Sequence, residues 1–76
     1  VIHLEIGEPD FETPTHVLEA GKRALDANYT HYGPTPGDPE LRAAIAHHIG
    51  ETRGLHYDLE NVCVVPGGKP IIFFSI

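Results

Sequence analysis

Hydrophobic residues recur along this chain with two different periods. At the N-terminus they alternate with polar residues from Ile2 to Ile6, which predicts a short strand with one buried face. From Thr13 to about Ala27, and again from Asp38 to Gly54, they recur every three or four residues, which predicts two amphipathic helices. The chain is therefore expected to belong to the α/β class.

Both predicted helices have recognisable ends. Thr13-Pro14 and Asp38-Pro39 each predict an N-cap side chain followed by a proline at the first helical position. Asn28 is predicted to end the first helix, and Gly54 to end the second in the left-handed conformation. The expected buried stripe of the second helix consists of Leu41, Ala44, Ile45, His48 and Ile49.

A second strand, Val62 to Val65, is predicted ahead of a glycine-rich turn. Gly67 and Gly68 end this apolar run, and Lys69-Pro70 open a segment that we expect to be a helix although Ile71 to Phe74 also has strand propensity. The order of strand, bare-backbone turn and helix presents backbone N–H groups to an anionic phosphate. The spacing matches neither a Walker A loop nor a dinucleotide fingerprint, so a plain turn is the alternative.

Composition and charge narrow the possible functions. The 76 residues allow one small domain, and 11 acidic against 5 basic side chains give a net charge of −6. No basic patch is available for a nucleic-acid partner. The apolar run from Ile71 to Ile76 is too short to cross a bilayer, and we expect a cytoplasmic protein. The single cysteine, Cys63, is expected to be a small buried hydrophobic residue.

Other candidate chemistry is weakly supported. The six histidines lack the spacing of a metal-ligand set, so no metal site is predicted. Ser75 lacks the context of a nucleophile, and the acidic cluster Glu8 to Glu12 is interpreted as a solvated loop. Tyr32, in a loop stiffened by proline, either packs its ring or offers its phenol to a ligand. Arg42 is interpreted as a structural ion-pair partner rather than a substrate-binding residue.

Five motifs in fixed order resemble those of a known family. Together they are similar to the N-terminal part of class I pyridoxal-phosphate-dependent aminotransferases, the aspartate aminotransferase-like group, and the resemblance covers nearly the whole chain. The motifs are Gly7-Glu8-Pro9-Asp10-Phe11, Thr13-Pro14, Thr30-His31-Tyr32-Gly33-Pro34-Thr35-Pro36-Gly37, Glu40-Leu41-Arg42-Ala43-Ala44-Ile45-Ala46 and Val64-Val65-Pro66-Gly67-Gly68-Lys69.

The resemblance implies a fold and a set of binding residues. The fold would be the beginning of a fold type I transferase: residues 1–60 as the N-terminal strand, helices and dimer-interface loop, and residues 61–76 as the start of the large cofactor-binding domain. Gly67, Gly68 and Lys69 would hold the phosphate of pyridoxal phosphate through their amides. Tyr32 would reach the phosphate across the interface of a homodimer, and the amide of Gly7 would bind the substrate carboxylate.

The resemblance also implies a reaction, the transfer of an amino group between an amino acid and a 2-oxo acid. The family's Schiff-base lysine, pyridine-binding aspartate and carboxylate-binding arginine lie beyond Ile76, and Lys69 is not that lysine. No catalytic residue is therefore assigned here. We expect a piece of a longer polypeptide, inactive by itself. A lyase or synthase of the same fold and a small non-catalytic phosphate-binding module are the alternatives.

Overall fold

The computed structural model describes all 76 residues, and every regular element in it is helical. The chain divides into two compact units, Val1–His31 and Tyr32–Ile76, which are described separately. No helix combines the length and the apolar character that crossing a membrane requires. The elements are α1 (Thr15–Asp26), α2 (Pro39–Arg53), a 3-10 turn (Leu59–Asn61) and α3 (Lys69–Ser75).

Neither predicted strand is present in this structure. A strand is stable only when a neighbouring strand takes up its amides and carbonyls. Residues 2–6 make no backbone hydrogen bond, and within residues 62–65 only the amides of Val62 and Val64 donate one. Val62 keeps extended backbone angles, with φ −116° and ψ 131°. The strand predicted over Val62 to Val65 is therefore extended backbone at Val62, but the partner strand that would complete a sheet is not among these residues.

Helix α1 begins later than its sequence suggests. Pro14 has ψ 140°, which is extended rather than helical, so the helix starts at Thr15. The Pro14 carbonyl accepts from the amides of Val17 and Leu18, at 3.0 and 3.2 Å. No side chain caps this end, and the prediction that Thr13 is the N-cap is wrong. A proline is compatible with the cap position as well as with the first turn, which explains the shift.

Helix α1 ends at Asp26, and Asn28 terminates it as predicted. Asn28 has φ 62°, in the left-handed region that asparagine tolerates better than most residues. Its amide donates to the Leu25 carbonyl and the Tyr29 amide donates to the Ala24 carbonyl, both at 3.0 Å, which is the hydrogen-bond pattern of a Schellman motif. No residue of the Val1–His31 unit is buried, so this unit is organised by local hydrogen bonds.

Helix α2 has the two caps that were predicted for it. Asp38 accepts a hydrogen bond from the Leu41 amide at 3.0 Å, and Pro39 occupies the first turn. At the other end Gly54 has φ 66°, and its amide donates to the Gly50 carbonyl at 3.0 Å. Both ends are determined by residues adjacent in sequence, which is why the sequence predicts them well.

The buried stripe of α2 differs from the predicted one. Its two buried residues are Arg42, 7% exposed, and Ala46, 5% exposed, and Ile45, Ile49 and Gly50 beside them are partly buried. Of the predicted stripe only Ile45 and Ile49 face this side, and the other three residues are exposed. The predicted stripe did not include Arg42, whereas the structure buries this arginine beside the 3-10 turn.

Arg42 is held by a backbone carbonyl. Its Nε donates to the Val62 carbonyl at 2.8 Å, a distance typical of a charge-assisted hydrogen bond. Its Nη2 lies 3.9 Å from the Glu60 carboxylate, whose side chain is 83% exposed. The predicted ion pair is present, but an exposed pair at that distance contributes little, so the main partner of Arg42 is the carbonyl.

The loop before α2 contacts the same segment. The Val64 amide donates to the Pro36 carbonyl at 2.8 Å. Gly37 has φ 113°, and a Cβ placed on it would lie 2.9 Å from the Cβ of Val64. Glycine is therefore required at position 37 for two reasons, backbone conformation and space.

Cys63 is exposed, which contradicts the expectation that it is buried. Its neighbours Val62 and Val64 are partly buried. In extended backbone, successive side chains point to opposite sides, so contacts made by the two valines leave the cysteine facing away from them.

Replacement of Gly37 by alanine should destabilise the protein that carries this chain by about 1 kcal/mol or more, because the new Cβ is strained and meets Val64. The matched control is Gly33→Ala, where a Cβ would meet no atom within 4 Å. Urea denaturation monitored by circular dichroism measures both. Equal losses in the two variants would contradict the close contact.

Removal of the Asp38 cap should weaken α2 by about 0.5–1 kcal/mol, because the Leu41 amide loses its acceptor. Circular dichroism of a blocked peptide covering residues 36–54 measures the change as a loss of helicity in Asp38→Ala. Asparagine caps helices as well as aspartate does, so Asp38→Asn should keep the helicity. A loss of the same size in both variants would point to charge rather than to capping.

Candidate functional site

The turn from Pro66 to Lys69 connects the extended segment to α3. Gly67 has φ 86°, which side chains other than glycine rarely adopt. Gly68 has φ −84° and ψ −26° and immediately precedes the helix, and its carbonyl accepts from the Ile71 amide at 3.2 Å. The prediction that a helix starts at Lys69 is confirmed.

Three successive amides in this turn have no acceptor within the chain. Those of Gly67, Gly68 and Lys69 take part in none of its hydrogen bonds. A Cβ on either glycine would meet no atom within 4 Å, so the backbone is open on that side. Backbone amides at the start of a helix are suitable donors to an anion, and a phosphate accepts several of them. The turn therefore has the donor set that a phosphate group needs.

Lys69 adds a positive charge to the same turn. Its side chain is exposed and forms no salt bridge within the chain. A cation at the N-terminus of a helix is unfavourable against the helix dipole, whereas an anion there is favourable. An anion bound between the amides and the ammonium group would remove this conflict.

Tyr32 is fully exposed, which decides between a packed ring and a phenol that is free to meet a ligand. Its ring is not packed within the chain, so the packing alternative is not what the structure shows. The loop that follows it turns back through the Gly37 amide, which donates to the Pro34 carbonyl at 3.0 Å, and then contacts Val64. The phenol is available to a ligand or partner, and its role as a phosphate ligand stays a prediction.

Gly7 lies in the other unit of the chain, Val1–His31. Its amide makes no hydrogen bond within the chain, and a Cβ there would meet no atom within 4 Å. The structure thus brings Gly67, Gly68 and Lys69 together in one turn. The binding role of Gly7 stays a prediction, as do the roles of those three residues.

A cleft of about 390 Å³ lies at the C-terminal end of α2, and sequence reasoning missed it. His47 Nε2 is 3.2 Å from Glu51 Oε1 there, an exposed pair whose i, i+4 spacing could have revealed it. No three His, Cys, Asp or Glu side chains are grouped so that they could hold a metal ion. The cleft is lined by Ala46, His47, Gly50, Glu51, Gly54, Leu55, His56 and Tyr57.

Comparison with known proteins shows what the chain is similar to. The family model described as "Aminotransferase class I and II" matches residues 1–76. A probable aspartate aminotransferase of Methanocaldococcus jannaschii is 47% identical over 75 residues, covering 99% of this chain and 20% of the relative. An aspartate aminotransferase of Pyrococcus horikoshii is 49% identical over 67 residues, covering 88% of this chain and 17% of the relative.

A plant protein extends the range of relatives. A bifunctional aspartate aminotransferase and glutamate/aspartate-prephenate aminotransferase of Petunia hybrida is 42% identical over 76 residues, covering 100% of this chain and 16% of the relative. The chain therefore spans about a fifth or less of the length of these relatives. No solved structure matches it.

Proposed function

Because this chain belongs to the class I and II aminotransferase family, we propose that the protein containing it transfers an amino group between an amino acid and a 2-oxo acid. The match of the family model to all 76 residues carries the proposal. Relatives named aspartate aminotransferase support aspartate as the amino donor. The protein is then a pyridoxal-phosphate enzyme of fold type I. Residues 1–60 belong to its N-terminal part, and residues 61–76 begin its large domain.

The turn from Pro66 to Lys69 fits the phosphate of this cofactor. It offers three amides without internal acceptors, two glycines open to approach and one ammonium group. A phosphate dianion needs several N–H donors and a favourable dipole, and this set supplies both. When bound, pyridoxal phosphate supplies the electron sink that weakens bonds at the amino-acid α-carbon, while the protein supplies binding and orientation.

The residues of this chain act in binding rather than in proton transfer. The amides of Gly67, Gly68 and Lys69 hold the phosphate and thereby fix one end of the cofactor. Tyr32 adds a neutral O–H donor to that phosphate from the neighbouring subunit of a homodimer. The Gly7 amide binds the substrate carboxylate without obstructing the substrate side chain.

The alternatives are less well supported. A lyase or synthase of the same fold would use the same phosphate turn, but the relatives carry the names of aminotransferases. A non-catalytic phosphate-binding module would not account for a family match along the whole chain. We further propose that the protein is a homodimer and that it is cytoplasmic.

The full-length protein should convert aspartate and a 2-oxo acid into a new amino acid when pyridoxal phosphate is present. Chromatographic detection of the amino acid formed from a panel of 2-oxo acids measures this transfer. The isolated 76-residue chain, measured in parallel, should show none. Elimination or condensation products without transfer would favour the lyase or synthase alternative instead.

Replacement of Tyr32 by phenylalanine should weaken binding of pyridoxal phosphate about 10-fold, because a hydrogen bond to a charged group is lost. Fluorescence titration of the full-length apoprotein with pyridoxal phosphate and with pyridoxal measures the effect. Pyridoxal lacks the phosphate, so its affinity should be unchanged. Tyr29→Phe is the matched control, since the Tyr29 hydroxyl makes no hydrogen bond in the chain. An unchanged affinity in Tyr32→Phe would remove Tyr32 from the site.

A further inference from the structure

We propose that Arg42 is a positioning residue for the turn that binds the cofactor phosphate, acting through the Val62 carbonyl. The inference rests on the proposed function, because it takes that turn as the phosphate site. It adds a residue that would touch neither cofactor nor substrate. Three observations support it: the burial of Arg42, the small number of bonds that hold the segment before the turn, and the contact of the same segment with the loop that follows Tyr32.

The first observation is that Arg42 is the one buried charged residue of the chain. Its Nε donates to the Val62 carbonyl at 2.8 Å, whereas its carboxylate partner Glu60 lies 3.9 Å away and is exposed. The Val62 carbonyl therefore governs the placement of the guanidinium, and the guanidinium in turn fixes that carbonyl. Arginine suits this task because its planar group stays charged and presents its donors in a fixed geometry.

The second observation is that few bonds hold the chain between Val62 and the turn. Beyond the Val62 carbonyl, the Val64 amide is hydrogen-bonded to the Pro36 carbonyl at 2.8 Å. The next backbone group with a partner is the Gly68 carbonyl, within the start of α3. The Val62 amide donates locally to the Leu59 carbonyl, so the hydrogen-bonded anchors of residues 62–66 on distant parts of the chain are two, the Arg42 side chain and the Pro36 carbonyl. Loss of either anchor would let the three amides of the turn vary in direction.

The third observation connects this segment to the Tyr32 loop. Gly37 sits so close to Val64 that a Cβ on it would lie 2.9 Å from the Cβ of Val64. The loop that follows Tyr32 and the segment that leads to Gly67 are thus in direct contact. Arg42 holds the same segment two residues earlier, by way of the Val62 carbonyl. Its removal should therefore weaken the binding of the phosphate group more than that of the rest of the cofactor.

The experiment uses the full-length protein with Arg42→Gln and Arg42→Lys. Arg53→Gln is the matched control, because Arg53 lies at the end of the same helix, is exposed and forms no salt bridge. Dissociation constants for pyridoxal phosphate and for pyridoxal are measured, together with the ³¹P NMR signal of the bound phosphate. The ratio of the pyridoxal dissociation constant to the pyridoxal phosphate dissociation constant reports on the phosphate contacts, and it falls when those contacts are lost. A general loss of stability would change both constants alike.

We expect Arg42→Gln to weaken pyridoxal phosphate binding at least 10-fold while pyridoxal binding changes less than 2-fold, and to broaden or shift the ³¹P signal. Arg42→Lys should recover part of the ratio, because it keeps the charge but loses the planar donor geometry. Arg53→Gln should match the wild type. A parallel loss of both affinities, or no change in either, would overturn the positioning role.

A second variant keeps the test decisive if Arg42→Gln does not fold. Gly37→Ala disturbs the other anchor and should lower the same ratio, with Gly33→Ala as its control. An unchanged ratio in Gly37→Ala would then overturn the proposal. Failure of the proposed function is distinguishable, because wild-type protein that binds pyridoxal as tightly as pyridoxal phosphate would have no phosphate site to position.

Discussion

One hydrogen bond, from Arg42 Nε to the Val62 carbonyl, organises the Tyr32–Ile76 unit. The buried part of this unit is small, so hydrophobic contact alone does not determine the path of its C-terminal segment. A buried guanidinium needs its hydrogen-bond partner, because the unpaired charge would be costly. The side chain and the carbonyl therefore constrain each other, and the 3-10 turn and residues 62–64 take their place beside α2 as a result.

The apolar residues of α1 and α3 are exposed. These 76 residues alone therefore do not supply the burial that a sheet-based fold needs. Val17, Leu18 and Leu25 on α1 are exposed, and so is the run from Ile71 to Phe74. The strands predicted beside these helices have no partner strand here. The helices nevertheless form, since their i to i−4 hydrogen bonds and the Schellman ending of α1 are local.

Apart from the Thr13 cap, the sequence predicted the features that depend on neighbouring residues, and it failed where distant residues decide. Asp38, Gly54 and Asn28 were assigned correctly because each acts within one helical turn. The glycine turn and the start of α3 at Lys69 followed from the same local rules. The burial of Arg42 and the exposure of Cys63 were missed, because both depend on the position of Val62 relative to a helix twenty residues earlier in the chain. The binding roles came from family resemblance, since amides carry no side-chain signal.

The contact between Gly37 and Val64 has a consequence for how this sequence can diverge. Each position occupies space that a larger residue at the other would need. Substitutions at the two sites are therefore not independent, although the sites are far apart along the chain. Every residue other than glycine at position 64 keeps a Cβ in this contact, so glycine at position 37 is required whichever side chain position 64 carries. The positive φ of residue 37 adds to that requirement.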